Sequence, residues 1–401
     1  MPSRLRGCLA CLRKLAGLIS PSGANGRGAL RAPSSLPPPP NDYNFIHPPD
    51  IICGDQEADP DWRYPLSPEE EQRAMEIYRR SMVIVSHTHC VERSDFDEMQ
   101  RAGITAAVVK LDIDLFNMIN GQCSYGLPGE DWFARGTRAF QRINQMEAEP
   151  GSNILIVRDA SDLHRAKREG KVGLILGFEG ALALNGELKN LRHFYDLGLR
   201  ELQPWFLVPN QTMVPKPSGQ DLSDFGEALI KEMNRMGVVL DLELMQGQGF
   251  ARAIRLAKEP VYVSHTAVAD LDGKQKHDSP YPFDADQMND ATIRAVAERG
   301  GPMGLHFLYP NYIRPRHGTE RATLTDLMDH MTYIRDLVGI DHVALGVDFF
   351  PATGYTLIEG AGRIAQFPNV ARAMVRHGFS DEEISRVLGG NMQRIFEAHL
   401  N

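Results

Sequence analysis

The chain has few cysteines, no membrane-length apolar run and no excess of basic residues. Its 401 residues include five cysteines, an odd number that falls entirely in the first third of the sequence and does not suggest a disulfide framework. No apolar run approaches the ~20 residues that a membrane-spanning helix needs. The formal net charge of -9 argues against nucleic-acid binding, which needs a basic face. We therefore expect a globular protein that binds a small molecule, with no nucleic acid and no membrane span.

Acidic residues are missing from the first 40 residues, which carry five arginines and one lysine. A secretory signal needs an unbroken apolar stretch, and Arg13 and Lys14 interrupt the one candidate. An Arg-rich, acid-free leader is compatible with an organelle transit peptide, a disordered extension or a start codon placed too early. We expect residues 1–66 to be a basic, Pro-rich leader and linker, largely irregular. We expect a cytoplasmic protein unless this leader targets it to an organelle.

From residue 67 onwards, short apolar runs alternate with amphipathic helical patterns. The first helix is expected to begin after Ser67, an N-cap residue followed by Pro68. Nine candidate strands follow, rich in Val, Ile and Leu, and apolar strands separated by helices are typical of a parallel sheet covered on both faces. No G-x-G-x-x-G follows the first strand, although open nucleotide-binding sheets usually have one. We therefore predict that residues 67–401 form a distorted (β/α)8 TIM barrel, with NILIVRD as the surplus ninth strand.

Metal-binding side chains stand at the ends of four predicted strands. His87 and His89 are two residues apart in VIVSHTHC, so on a strand both imidazoles face the same side. The apolar runs VGLILGFEG, PVYVSH and HVALGVDFF lead to Glu179, His265 and Asp348. Barrel active sites lie at the carboxyl ends of the strands, and imidazole and carboxylate groups are zinc ligands. The pattern therefore predicts a divalent-cation site formed by these five residues.

These motifs resemble those of the membrane dipeptidase family. IVSHTHC, GFEG, LDLEL, VYVSH and HVALGVDF occur in that family's order, and the closing VLGGNMQRIFEAHL resembles its last helix. The resemblance implies a distorted barrel with zinc ions that activate a hydroxide for attack on a dipeptide carbonyl. It implies that His87 binds the first metal, Glu179 bridges two metals and His265 binds the second. It also implies that Asp348 binds metal and transfers a proton, so Asp348 and Glu179 are the expected catalytic residues.

The sequence departs from the family pattern at several places. The family's first-strand H-x-D is here H-x-H, with His89 in place of the aspartate. Its fifth-strand D-L-x-H is here D-L-E-L, ending at Leu244, so a second-metal ligand is expected to be missing. Glu243 could replace it only if the strand register shifted, because neighbouring side chains face opposite ways. We expect one firmly bound zinc ion and leave a second open. The arginine that holds the dipeptide's carboxylate falls near Asp286, which predicts weak or absent activity on free L,L-dipeptides.

Aromatic residues and one further histidine are candidates for the substrate pocket. Where the family's fourth strand carries a histidine that polarises the substrate carbonyl, this sequence has QPWFLVP. We assign substrate binding to Trp205, Phe206, His306 and Tyr309, with core packing as the alternative. The expected function is hydrolysis of a dipeptide-like or modified amide by a metal-bound hydroxide. The alternative is a catalytically altered relative that binds or remodels a metabolite without hydrolysing peptides. A homodimer is compatible with either.

Overall fold

The computed structural model describes the predicted barrel and a short segment before it. The leader up to residue 50 and the charged insertion that contains Asp286 lie outside the described residues, and the predicted domain boundary before residue 67 stays a prediction. The described residues are 53–55, 58, 59, 62–113, 117–119, 122–124, 131–206, 210–216, 219–269, 271, 287–350 and 356–400.

Helices cover the outside of the barrel in this part of the chain. The first begins with a capping box, in which Ser67 and Glu70 exchange side-chain-to-backbone hydrogen bonds, as the sequence predicts. No helix among the described residues combines the length and the apolar character needed to cross a membrane. The helices are α1 Pro68–Arg80, α2 Arg93–Arg101, α3 Trp132–Ala148, α4 Ala160–Glu169, α5 Leu188–Asp196, α6 Asp224–Met236, α7 Gly247–Leu256, α8 Asp290–Glu298, α9 Leu324–Val338, α10 Asn369–Arg376, α11 Asp381–Ser385 and α12 Asn391–His399.

The strands include eight that form the barrel and six that lie beside it. The barrel strands are β1 Ile84–Thr88, β2 Ala106–Ile113, β6 Val172–Glu179, β7 Leu199–Gln203, β10 Val239–Leu240, β11 Val263–Val268, β13 Met303–Leu305 and β14 Val343–Leu345. The others are β3 Asn117–Ile119, β4 Gln122–Ser124, β5 Ile154–Ile156, β8 Met213–Lys216, β9 Gly219–Leu222 and β12 Gln287–Met288.

The eight barrel strands are parallel and close into a ring. They form two hydrogen-bonded sheets, in the orders β1-β2-β6-β7-β10 and β11-β13-β14. Single parallel bridges between Asp241 and Tyr262 and between Thr88 and Phe349 join the sheets at both edges. The barrel is distorted, because single bridges rather than continuous strand pairing join its two sheets and because β10 is two residues long. β5 pairs with β6 outside the ring, so the predicted fold and the surplus strand NILIVRD are both confirmed.

The barrel interior changes character towards the carboxyl ends of its strands. Alternation at a period of two places Ile175 and Glu179 on the same face of β6. At the fifth barrel strand it places Val239 and Asp241 on one face, and Glu243 follows in the turn after the strand. The interior is therefore apolar near the start of the strands and carries carboxylates near their ends. The apolar layer consists of strand residues that pack against Ile395 and Phe396 of α12. The strand residues include Ile84, Val108, Ile175, Val239 and Ala344.

The described residues before α1 pack on the barrel without forming a helix or strand of their own. Gly54 makes an isolated antiparallel bridge with Arg363, and its N–H donates to the carbonyl of Phe350 at 3.2 Å. Cys53 and Cys90 are buried and form no disulfide bond, in keeping with the cysteine count. This segment therefore contacts the residues that follow β14, the last barrel strand.

Candidate active site

Four of the predicted metal-binding residues meet at the carboxyl ends of the strands. The Nε2 atoms of His87 and His89 lie 3.0 Å apart. Nε2 of His89 is 3.4 Å from Oε2 of Glu179 and 3.2 Å from Oδ1 of Asp348. The same Asp348 oxygen is 3.4 Å from Nε2 of His87. All four residues are buried, so their nitrogen and oxygen atoms face one another rather than bulk water.

A second group of donors shares Glu179 with the first. Glu179, Glu243 and His265 place ligand atoms within 4.8 Å of one another. Nε2 of His265 lies 3.6 Å from Oε1 of Glu179 and 3.9 Å from Oε2 of Glu243. The two oxygens of Glu179 therefore face different groups, Oε2 towards His89 and Oε1 towards His265. This is the arrangement expected of a carboxylate that bridges two cations.

Glu243, which follows the fifth barrel strand, lies close enough to Glu179 and His265 to be a candidate metal ligand, and whether a second-metal ligand is missing from this strand stays a prediction. Asp241, two residues earlier, accepts a hydrogen bond from Nζ of Lys110 inside the barrel at 3.1 Å. Glu243 lies in the turn after β10, where Nε2 of Gln203 donates to its Oε2 at 3.1 Å. Leu244 has a positive φ of 59° and packs against the core. The donor stands one position earlier than in the family motif.

Asp348 connects the first donor group to His306. Its Oδ2 lies 3.3 Å from Nε2 of His306, while its Oδ1 faces His87 and His89. Asp348 has a φ of 55°, a left-handed conformation that Asp tolerates better than most residues. Its N–H donates to the carbonyl of His87 at 3.2 Å, which holds this conformation. Sparsely populated backbone conformations of this kind cluster at functional sites.

Burial gives the donors protonation states that suit a cation. Desolvation lowers the pKa of His87 and His265 well below the usual value, so both rings are neutral near pH 7. Burial, followed by repulsion from Asp348, raises the pKa of Glu179 well above its usual value. Burial also acts to raise the pKa of Asp348, but the imidazoles around it, that of His306 first, hold it well below its usual value. A cation between the carboxylates would remove their repulsion, so the residues fit a divalent metal.

The hydroxyl of Ser264 lies next to the Nδ1 atoms of two of the imidazoles. Oγ of Ser264 lies 2.8 Å from Nδ1 of His265 and 3.4 Å from Nδ1 of His87. An Nδ1–H group that donates to a fixed acceptor leaves Nε2 with the lone pair, which is how metal-binding histidines are generally held. Ser264 is absent from the predicted site. The available signal was its position directly before His265 in a strand that is otherwise apolar.

Three charged side chains fill the barrel below the donors. Nζ of Lys110 lies 2.7 Å from Oε1 of Glu201 and 3.1 Å from Oδ2 of Asp241, and none of the three side chains is exposed. Oδ1 of Asp241 accepts the N–H groups of Glu243 at 3.1 Å and of Ser264 at 3.0 Å. This charged layer therefore holds the backbone of two residues that belong to the site above it.

Comparison with protein families identifies the chain. A family model described as membrane dipeptidase (peptidase family M19) matches residues 72–400. The chain belongs to the membrane dipeptidase family. Membership in this metallopeptidase family supports a metal-dependent hydrolase, and the two donor groups supply candidate metal ligands.

Solved structures with the same fold include hydrolases of this kind. An amidohydrolase from Pseudomonas aeruginosa is 22% identical with a TM-score of 0.68, and the match covers 82% of this chain and 99% of that one. A probable dipeptidase from the same organism, PvdM, is 17% identical with a TM-score of 0.69, covering 84% and 99%. A metallo peptidase from Rhodobacter sphaeroides, bound to a phosphinate mimic of the dipeptide L-Ala-D-Ala, is 20% identical with a TM-score of 0.66, covering 80% and 100%. At these identities the likeness shows the fold.

The four residues of this member of the membrane dipeptidase family that are predicted to bind substrate do not share one environment. Trp205 and Phe206 come shortly after β7, beyond Pro204, and are buried, Trp205 within the main hydrophobic core. The hydroxyl of Tyr309 donates to the backbone carbonyl of Glu320 at 2.8 Å. The ring of His306 lies next to the metal-donor cluster, with its Nε2 3.3 Å from Oδ2 of Asp348. The assignment of all four to substrate binding stays a prediction.

Two aromatic residues that the sequence analysis did not select lie against the imidazoles. Tyr312 stacks on the ring of His306, with centroids 4.1 Å apart and an interplanar angle of 22°. Phe350 meets His89 edge to face, with centroids 4.9 Å apart. Both follow barrel strands at short distance along the chain, which is the general location of substrate-facing residues in barrels. Two aromatic side chains therefore lie close to the site, and neither belongs to the four residues predicted to bind substrate.

Proposed function

We propose that this chain is a binuclear, zinc-dependent hydrolase that cleaves the amide bond of a dipeptide-like substrate. The observation that carries the proposal is Glu179, whose two oxygens face two different groups of donors. A mixed set of imidazole nitrogens and carboxylate oxygens matches the ligand preference of zinc. The residues that would hold the two ions are His87, His89, Glu179, Glu243, His265 and Asp348.

The chain's own residues would orient the reaction and move its proton. Bound divalent cations would supply an activated water and polarise the substrate carbonyl. Asp348 is held ionised by the imidazoles around it, so Oδ1 can accept a proton from the attacking water. Returning that proton to the leaving nitrogen would complete general base and general acid catalysis by one carboxylate. Glu179 would align the two donor groups.

The proposed substrate class is a neutral or C-terminally blocked amide. This part of the proposal is supported by Asp286, which falls near the family's carboxylate-binding arginine and whose charge would repel a free carboxylate. The alternative, a relative that binds a metabolite without hydrolysis, predicts no turnover of either substrate class.

Metal content and turnover, measured on the same preparation, test the proposal. Protein purified without added metal is analysed for zinc by mass spectrometry, and blocked amides are compared with free dipeptides. We expect two ions per chain and turnover that Asp348→Asn abolishes. The matched control is His164→Ala, which removes a surface histidine paired with Glu397 and should change neither value. Absence of metal together with absence of turnover would favour the alternative.

A further inference from the structure

His306 has the composition and position of another metal ligand. It directly follows β13, its ring is buried, and its ligand atoms lie within 4.8 Å of those of His265 and Asp348. Proximity alone would add it to the second donor group. Whether an imidazole can bind a cation depends, however, on which of its nitrogens keeps a lone pair.

The backbone after His306 determines where its proton lies. The N–H of Leu308 donates to Nδ1 of His306 at 3.0 Å, so Nδ1 is an acceptor and carries no proton. A ring that accepts at Nδ1 carries its proton on Nε2, and Nε2 is the atom 3.3 Å from Oδ2 of Asp348. Both nitrogens are therefore committed, one to the backbone and one to a carboxylate.

From this geometry we infer that His306 is a positioning residue that donates its Nε2–H to Asp348 and is not a metal ligand. The inference rests on the proposed function, because it concerns how a ligand of the proposed metal site is oriented. Holding Oδ2 leaves Oδ1 as the oxygen that faces His87 and His89. Asp348 would thus present one oxygen to the cation side of the site and one to a fixed donor.

The surroundings of the ring hold it in this orientation. The N–H of His306 donates to the carbonyl of Thr266 at 2.7 Å, which fixes the backbone at the end of β13. Tyr312 stacks on one ring face, and the ring of His265 lies edge-on at a centroid distance of 5.3 Å. A ring flip would direct a carbon towards Asp348 and another towards the N–H of Leu308, so both hydrogen bonds oppose it.

The decisive experiment combines nitrogen NMR of the metal-free chain with zinc titration of variants. Long-range ¹H–¹⁵N spectra report which nitrogen of His306 carries the proton, and His306→Gln assigns the signal. His306→Ala removes the donor, whereas His306→Gln keeps an N–H near the position of Nε2. The matched control is His330→Ala, because His330 is also buried and also accepts a backbone N–H, that of Val268, at Nδ1.

We expect a protonated Nε2 in the wild type and an unchanged number of zinc ions at saturation in His306→Ala. Losing a residue that orients a ligand should weaken zinc binding by about 10–100-fold, and His306→Gln should recover most of this loss. His330→Ala should keep the wild-type affinity. A protonated Nδ1, or the loss of one ion in His306→Ala, would overturn the inference. If the wild type binds no zinc, the proposed function fails, and the NMR result still decides the role of His306.

Discussion

Replacing Ser264 with alanine tests whether its hydroxyl, which lies next to Nδ1 of two imidazoles, holds these rings in the tautomer that binds metal. Its Oγ lies 2.8 Å from Nδ1 of His265 and 3.4 Å from Nδ1 of His87, so the first contact is an ordinary hydrogen bond and the second is at the outer limit. A His265 ring that donates its Nδ1–H to this hydroxyl loses its acceptor in Ser264→Ala, so its proton is free to move to Nε2, where Oε1 of Glu179 lies 3.6 Å away. That tautomer cannot bind a cation through Nε2.

Two independent estimates of the cost agree. Leaving one buried donor without its acceptor costs about 1–3 kcal/mol. Removing an orienting partner of a metal-binding histidine costs about 10–100-fold in affinity, which corresponds to about 1.4–2.8 kcal/mol. Because the weaker contact to His87 adds little, we expect the loss to fall on the second donor group. The number of ions at saturation should not change.

Zinc titration against a competing chelator measures this affinity, with Ser86→Ala as the matched control. Ser86 is equally buried, and its hydroxyl donates to the backbone carbonyl of Ser264 at 2.7 Å. Its loss should lower the free energy of unfolding by about 1 kcal/mol and leave zinc affinity within about twofold. Wild-type affinity in Ser264→Ala would refute the reasoning, as would an equal loss in Ser86→Ala.

Three further changes test the second donor group, a buried histidine and a tight strand contact. Glu243→Ala should reduce bound zinc from two ions to one, whereas Leu244→Ala should keep both, as measured by metal analysis. Burial lowers the pKa of His330 to about 3, against ~6.5 in the unfolded chain, so its contribution to stability is complete above pH 6.5 and is lost as pH falls. His330→Asn, which keeps an acceptor for Val268, should remove about 2 kcal/mol of the stability difference between pH 6.5 and 5 in urea unfolding. A Cβ on Gly304 would lie 1.9 Å from the backbone oxygen of Ser264, so Gly304→Ala should cost about 3 kcal/mol in the same assay.

The donors that end long apolar runs could be predicted from the sequence, because a carboxylate or imidazole there needs a partner. Glu179, His265 and Asp348 are of this kind, and a parallel barrel brings such strand ends together. The sequence leaves the role of Glu243 open, because the direction of its side chain depends on the turn that follows β10.

Other parts of the site depend on contacts that sequence patterns do not encode. Lys110 stands in the apolar run AAVVKL, and its partner Glu201 is 91 residues away along the chain. The tautomer of His306 follows from the N–H of Leu308, whose direction is set by the turn after β13. Trp205 has the residue type of a substrate contact, yet it packs in the core. Residue type and spacing therefore predict which groups can bind metal, whereas their protonation and orientation come from the tertiary structure.

The charges inside the barrel bear on how many cations the proposed metal site would hold. Among the described residues, the barrel interior and its site hold one ammonium, that of Lys110, and five carboxyl groups, so full ionisation would leave four negative charges in a buried space; the five belong to Glu179, Glu201, Asp241, Glu243 and Asp348. Burial is the largest cause that raises the pKa of Glu201 to about 8 and the pKa of Glu179 well above its usual value, which shows how costly such charge is without a counterion. One divalent cation would cancel half of it, and two would cancel it in full. Under the proposed function, a second ion would neutralise the carboxylates that Lys110 alone cannot, and Glu243 would be one of its ligands.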